Sequence, residues 1–356
     1  MISIQIQFDK TSRTYNPGEE VVGKVNVQVE QECQCNQLVL IREWRTHGKG
    51  NKQSGGKQTT VLSQGELWSP GMVRSFRFRF NAPLTPVTYH GHYLNVDWYV
   101  RVKAEMPWGI DRLVRGALRH PRHEEEFLLL PEDQPFSVTR KHVKKRSFKL
   151  QRTIAWLFLA FGLIYMYVLA FGGSTGSALI GIVPLIIGGF ILLWVIPRSS
   201  ADKKLGEVGL LFEPTETRDG IVCKVRIVPK EEIHLEGMHA TLLVREVVTS
   251  GSGTSRTTRR HELYKVSTEK EISQTIYPNL GLKASIPFKI SKDLPVSLDI
   301  TDNEIQWSLA LRLDLSGWLV WKRVFPLRVY RGSQVPSIES RLGMALDSTE
   351  DSSLRA

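Results

Sequence analysis

Two charge-free runs constrain this chain more than any other feature. Ile154 to Phe171 (IAWLFLAFGLIYMYVLAF) and Ala178 to Ile196 (ALIGIVPLIIGGFILLWVI) are separated only by the six residues GGSTGS, 172–177. A helix rises about 1.5 Å per residue, so each run spans roughly 27 Å, near the hydrocarbon thickness of a bilayer. A buried helix of that length in a water-soluble domain keeps polar residues on one side, and these two do not. The pair is expected to form a transmembrane hairpin with helices at 154–171 and 178–196. The runs lie too far along the chain to be a signal peptide.

The flanks set the expected orientation. Arg140, Lys141, Lys144, Lys145, Arg146, Lys149 and Arg152 precede the first run, and Arg198, Lys203 and Lys204 follow the second. The connecting loop is uncharged. Short basic flanks stay on the cytoplasmic side, so both ends of the hairpin, and everything attached to them, are expected inside a cell membrane crossed twice. The same seven cations ahead of the first helix suit contact with anionic lipid headgroups.

The formal net charge of +11 does not point to nucleic acid. Residues 140–152 carry seven of those charges and 198–204 a net two, so the basic excess belongs to the membrane flanks. No nucleic-acid partner is expected. The three cysteines, Cys33, Cys35 and Cys223, have no framework spacing and fit a reducing compartment. Cys33 and Cys35 share one face of a strand, but no nearby residue completes a metal clip. They are read as free thiols.

On either side of the hairpin the pattern is that of short half-buried strands. Val25, Val27 and Val29 alternate with polar residues, as do Phe76, Phe78 and Phe80, and Val96 through Ala104. Residues 1–131 are expected to form a β-sandwich, with Glu124–Leu130 as its closing strand and only Ile110–His120 helical in character. Residues 132–153 read as a basic juxtamembrane linker, 201–330 as a second sandwich, and 331–356 as a disordered tail poor in bulky apolar residues. The second half repeats the first. Val22–Val27 lies against Val222–Ile227 at an offset of 200, Leu40–Glu43 against Leu243–Glu246 at 203, Phe78–Phe80 against Phe288–Ile290 at 210, and Trp98 against Trp307 at 209. Each half holds enough residues for one sandwich core. The fold class is therefore all-β, two sandwiches separated by a helical hairpin.

Three stretches resemble the arrestin superfamily. Tyr15–Val25 (YNPGEEVVGKV) is similar to the Pro-Gly-Glu turn and Gly-interrupted strand that open the arrestin-like N-terminal domain. Phe76–Pro83 (FRFRFNAP) resembles the core strand that follows. Pro86–Tyr93 (PVTYHGHY), running into Val96–Ala104, resembles the segment in which Pro, an aromatic and Gly precede an alternating strand. The resemblance covers roughly residues 8–108 and implies two tandem seven-stranded sandwiches acting as a protein-binding adaptor. The chain departs from it in the membrane hairpin between the lobes, in the tight link around Glu30–Gln37, and in lacking a Pro-Pro-x-Tyr motif. No receptor-contact residue carries over.

No catalytic or cofactor signature is present: no G-x-S-x-G, no phosphate-cradling G-x-x-x-x-G-K-[ST], no H-E-x-x-H and no Rossmann glycines. The Gly-rich stretches at 48–56 and 250–253 read as mobile hairpin connections. His90-Gly91-His92, with Asp97 nearby, is the nearest approach to a metal site, but no third ligand is evident and the pair reads as turn histidines. Glu124-Glu125-Glu126 reads as a solvated face. The sequence thus assigns no catalytic, cofactor or metal residues and no enzyme activity. Ser177, Gly181 and Gly189 lie along one face of the second helix and allow close helix contact, within the hairpin or between copies of the chain. The expected function is a membrane-anchored scaffold binding partner proteins at the cytoplasmic membrane face. The alternative is a carrier holding a lipid or small molecule in the sandwich lobes.

Overall fold

A computed structural model describes residues 2–106, 122–130, 136–140, 149–172, 178–215, 220–278, 280–317 and 319–331. The stretch Ile110–His120, the turn 173–177 with Ser177, cations 141–148 and the tail from 332 lie outside the described residues.

The first lobe holds β1 (Ile2–Phe8), β2 (Thr14–Tyr15), β3 (Glu20–Val29), β4 (Cys33–Gly48), β5 (Ser54–Trp68), β6 (Val73–Asn81), β7 (Tyr89–His90), β8 (Leu94–Glu105) and β9 (Arg122–Leu129). A three-stranded sheet, β1-β3-β6, faces a six-stranded one ordered β2-β9-β8-β4-β5, with β7 paired to β8. The alternating Val and Phe residues do what period-two patterning requires: Val25, Val27, Val29 and Phe78 point inward, where Trp68, Trp98 and Phe127 fill the space between the sheets. Of the expected closing strand Glu124–Leu130, residues up to Leu129 lie in β9, between β2 and β8.

The chain then gives one strand to the other lobe. β10 (Phe136–Arg140) lies in the stretch read as a linker, yet it pairs with β18 (Leu319–Arg331) at the edge of the second lobe's large sheet. Phe136 is buried there beside Trp307, an apolar anchor just ahead of the basic cluster. Arg140, read as a lipid contact, stacks its guanidinium over the Phe325 ring at 4.7 Å.

The helices follow, α1 (Lys149–Gly172) and α2 (Ala178–Leu205), packed against each other. Both outrun the apolar stretches, α1 by starting at Lys149 and α2 by continuing through Pro197 to Leu205. Ala155, Gly162 and Gly188 are buried, and Gly188 stands against Ala155 and Leu159 across the contact. A Cβ on Gly188 would lie 2.9 Å from Leu159 and 3.0 Å from the Ala155 carbonyl, whereas Gly189 faces open space. The close-contact position is thus Gly188, not Gly189; adjacent helical residues point about 100° apart. Gly181's surroundings lie outside the described residues. Among the described residues no helix is long and apolar enough to cross a membrane.

The last turn of α2 docks on the second lobe. Ala201 and Leu205 are buried in its core, and Trp321 donates its indole N–H to Asp202 at 2.6 Å. Gly206 ends the helix at φ +66°, the left-handed position that closes helices at low cost for glycine alone. The lobe continues through β11 (Glu207–Pro214), β12 (Gly220–Val228), β13 (Ile233–Ser250), β14 (Thr257–Ile276), β15 (Leu282–Lys289), β16 (Leu298–Ile300), β17 (Asn303–Leu315) and β18. Its sheets are β11-β12-β15 and β10-β18-β17-β13-β14, with β16 on β17.

Among the described residues the two lobes therefore share one strand order, nine strands each: seven long ones, supplemented by short β2 and β7 in the first lobe and by β10 and β16 in the second. Trp98 donates to the Pro86 carbonyl at 2.8 Å and Trp307 to the Pro295 carbonyl at 3.0 Å, each twelve residues back. With those tryptophans superposed, Trp44 opposite Trp98 matches Val244 opposite Trp307, so Thr46 corresponds to Glu246. The sequence match of Glu43 with Glu246 was three residues out of register. It would have exchanged the inner and outer faces of the strand.

Candidate functional site at the seam between the lobes

The segment from Thr88 to Asp97 brings the chemistry together. It belongs to the first lobe, but Leu94 and Val96 are buried in the second lobe's core, with Tyr89 and Tyr93 packed against it. Its polar atoms converge on Glu246, a fully buried carboxylate on β13. Tyr89 donates its hydroxyl to Oε1 at 2.7 Å, the His92 amide donates to Oε1 at 3.0 Å, and the Tyr93 amide donates to Oε2 at 3.0 Å. Three donors offset the cost of burying the charge. Burial, with the adjacent Glu246 carboxylate, pushes the Tyr89 phenol well above its ordinary range. A Cβ on Gly91 would lie 1.7 Å from Glu246 Oε1, so only glycine lets the loop close over the carboxylate.

The second half of the seam is built from the Gly-rich connections. The Asn51 amide donates to the Thr249 carbonyl at 2.9 Å, and its side chain donates to Gly251 O and Asp302 Oδ2 while accepting from the Gly251 amide. Asn303 returns a bond to the Asn51 carbonyl at 2.8 Å. These hairpin ends, expected to be mobile, interlock instead. A short polar side chain on each can satisfy the other's backbone.

On the outer side of the same segment His90 turns the opposite way, toward its own lobe. Its Nε2 lies 2.6 Å from Asp97 Oδ1, and Glu126 joins them, the three ligand atoms all within 4.8 Å of one another. Asp97 is buried; His90 and Glu126 lie at the rim. His47 Nε2 approaches the other oxygen, Asp97 Oδ2, at 3.9 Å and bonds the Tyr99 hydroxyl at 2.9 Å. Burial raises the Glu126 carboxyl above its usual range, helped by the facing Asp97 carboxylate. Burial likewise pushes the Tyr99 phenol up to about 12, with Asp97 and Glu126 adding to it.

The neighbouring acids are handled differently. Arg45 forks onto Glu124 at 2.7 and 2.9 Å and onto Glu43 at 2.6 Å, Arg101 reaches Glu43 at 3.0 Å, and Arg13 pairs with Glu125. Among the described residues, Asp97 and Glu126 have no lysine or arginine partner. The run of three glutamates is thus not one solvated face: each meets a different partner.

The structure separates the histidine pair. His92 stacks on His261 of the second lobe, ring centroids 4.3 Å apart, while His90 stays with Asp97. The third side chain beside His90 and Asp97, which sequence reading lacked, is Glu126. The signal was available in the ladder, since Glu126 on β9 lies opposite Tyr99, two residues along β8 from Asp97. The cysteines stand apart as unbridged thiols, Cys35 and Cys223 buried, with burial raising their thiols to about 11 and about 12.

No known family model and no curated protein matches the sequence. Among solved structures, the sporulation control protein Spo0M from Bacillus subtilis is similar over 74% of this chain and 90% of that one, at 12% identity and a TM-score of 0.29. At that score the likeness carries no weight here, and the two-sandwich architecture stands on the strand order itself.

Proposed function

We propose that the chain is a membrane-anchored, arrestin-like scaffold whose paired sandwiches bind partner proteins at the cytoplasmic face. The observation that carries this reading is the outward surface of the helix pair. Trp156, Leu157, Phe161 and Ile164 on α1, with Val183, Ile186 and Phe190 on α2, are between 55 and 71% exposed. Folded proteins in water rarely leave so much contiguous apolar surface uncovered, and lipid is the medium that covers it at no cost. At about 1.5 Å per residue the 24 and 28 residues of α1 and α2 measure roughly 36 and 42 Å; the anchor reading rests on their exposed apolar side chains and not on a membrane span among the described residues. Lys149 and Arg152, with the cations ahead of them, supply attraction to anionic lipid. The docked end of α2 then holds the second lobe against the bilayer, and the seam holds the first lobe against the second.

For partner binding, the outer strands of the two large sheets favour extended peptides. β5 and β14, of 15 and 20 residues, each end a sheet and leave a row of backbone groups open to pairing. The carrier reading has less support, because Trp68, Trp98 and Phe127 in one lobe and Trp307, Phe288 and Phe325 in the other fill the space between the sheets.

Membranes from cells expressing the full chain test the anchor: it should stay in the pellet through an alkaline carbonate wash, with tags at both termini reachable only after permeabilisation. Release to the supernatant, or tags on opposite sides, would overturn it. For the adaptor role, a photoreactive residue at Lys265 on β14 should capture protein, and one at Gln306 on the face of central β17 should not. Equal capture at both refutes edge binding.

A further inference from the structure

We propose that His90, Asp97 and Glu126, with His47 as a fourth donor within reach, bind a divalent transition-metal ion of the zinc class. The ligands come from three adjacent strands, β7, β8 and β9, which hold them more firmly than a loop could. In a tetrahedral zinc site with nitrogen and oxygen donors at about 2.0–2.2 Å, neighbouring ligand atoms stand roughly 3.3 Å apart. Here the three atoms lie within 4.8 Å of each other and His90 is already 2.6 Å from Asp97. Small side-chain rotations suffice to close the set.

Charge points the same way. Across the sheet, Arg45 and Arg101 pair with Glu43 and Glu124, whereas among the described residues Asp97 and Glu126 make no ion pair with lysine or arginine and have His90 and His47 beside Asp97. Two carboxylates without a fixed cation make a locally negative pocket that a divalent ion would satisfy. One or two imidazole donors beside carboxylates favour zinc or its first-row neighbours over calcium and magnesium, which prefer all-oxygen sites. The exposed rim, formed by His90 and Glu126, gives the ion a way in.

The second lobe acts as an internal control. In the superposed strand order His90, Asp97 and Glu126 correspond to Asp299, Gln306 and Pro326. Those residues do not make a ligand set, and Asp299 pairs with Arg328 at 3.2 Å. The ligand cluster is therefore not a by-product of the shared framework. Because His90 lies beside Tyr89 and Gly91, an ion held there would also steady the loop that covers Glu246.

The test uses the full chain, purified in detergent without a polyhistidine tag, stripped by a chelator and titrated with Zn²⁺ against a chromophoric competitor. One ion per chain is expected, together with a rise in Tm. His90→Gln, Asp97→Asn and Glu126→Gln should each weaken binding about tenfold or more and remove the Tm rise, while His92→Gln should change neither. Glu126 sits at the exposed rim, so Glu126→Gln carries the test should Asp97→Asn fail to fold. Unchanged affinity in Glu126→Gln and His90→Gln, no retained Zn²⁺ in the parent chain, or retention of Ca²⁺ in preference to Zn²⁺ would each overturn the proposal.

Discussion

The two lobes are built on one strand order and use it for different ends. Both bury a tryptophan bonded to a proline carbonyl twelve residues earlier, and both present long β4-type and β13-type strands that reach the seam. At the seam they diverge. Where the first lobe has Thr46, the second has Glu246, and where the first lobe gathers His90, Asp97 and Glu126, the second has an ordinary exposed ion pair. A duplicated framework fixes where side chains stand. Which chemistry occupies those places is free to differ, because Glu246 and Asp97, though buried, each find polar partners in the Thr88–Asp97 segment rather than in the shared apolar core.

The comparison breaks most readily at Glu246. Glu246→Ala should cost about 3 kcal/mol or more, since the Tyr89 hydroxyl and two amides lose their acceptor and each unsatisfied buried donor costs about 1–3 kcal/mol. Thr46→Ala, at the matching place, should cost about 1 kcal/mol. Denaturant titration of the full chain in detergent measures both, and similar values for the two would remove the asymmetry. Gly91→Ala should follow Glu246→Ala in direction, because the added methyl and the carboxylate cannot share the site.

Within the core the lobes should behave alike. Trp98→Phe and Trp307→Phe each strand one carbonyl and lose indole volume, for about 1–3 kcal/mol apiece. A difference above about 2 kcal/mol would show that the shared frame is not energetically shared.

The hairpin offers its own contrast. Gly188→Leu should push α1 and α2 apart at about 1–3 kcal/mol, and Gly189→Leu should leave the pair intact. Cysteine cross-linking between the helices reads the separation, and equal loss in both variants would misplace the contact.

The smallest effect concerns the thiols. Cys35 and Cys223 should react with iodoacetamide far more slowly than Cys33 at pH 8, since buried thiols at about 11 and about 12 hold little thiolate there. The linkage has a definite sign. With folded values above the ordinary 9.0, both groups favour the folded state below about pH 9 and lose that contribution as pH rises through 11 and 12. Labelling followed by mass spectrometry checks the order, and Cys33 reacting last would contradict it.

Much of the framework was legible because it follows from local rules. Alternating Val and Phe residues announce strands, two charge-free runs announce helices, and Trp98 against Trp307 announces duplication, since each depends on neighbours in sequence. The seam was not legible. Glycines and asparagines around 48–56 and 250–253 look the same in a mobile hairpin and in an interlocked one, and only the partner surface distinguishes them. Phe136 in β10 was not legible because strand exchange between lobes leaves no periodic trace in five residues.

By itself the sequence determined the all-β class, the doubled plan and the place of the helix pair, all consequences of which residues avoid water and at what period. Tertiary structure alone decided that Glu246 is buried under Tyr89, that Gly188 rather than Gly189 carries the helix contact, and that Glu126 meets His90 and Asp97. Those facts depend on distances between residues far apart along the chain, which register and packing set and composition does not encode.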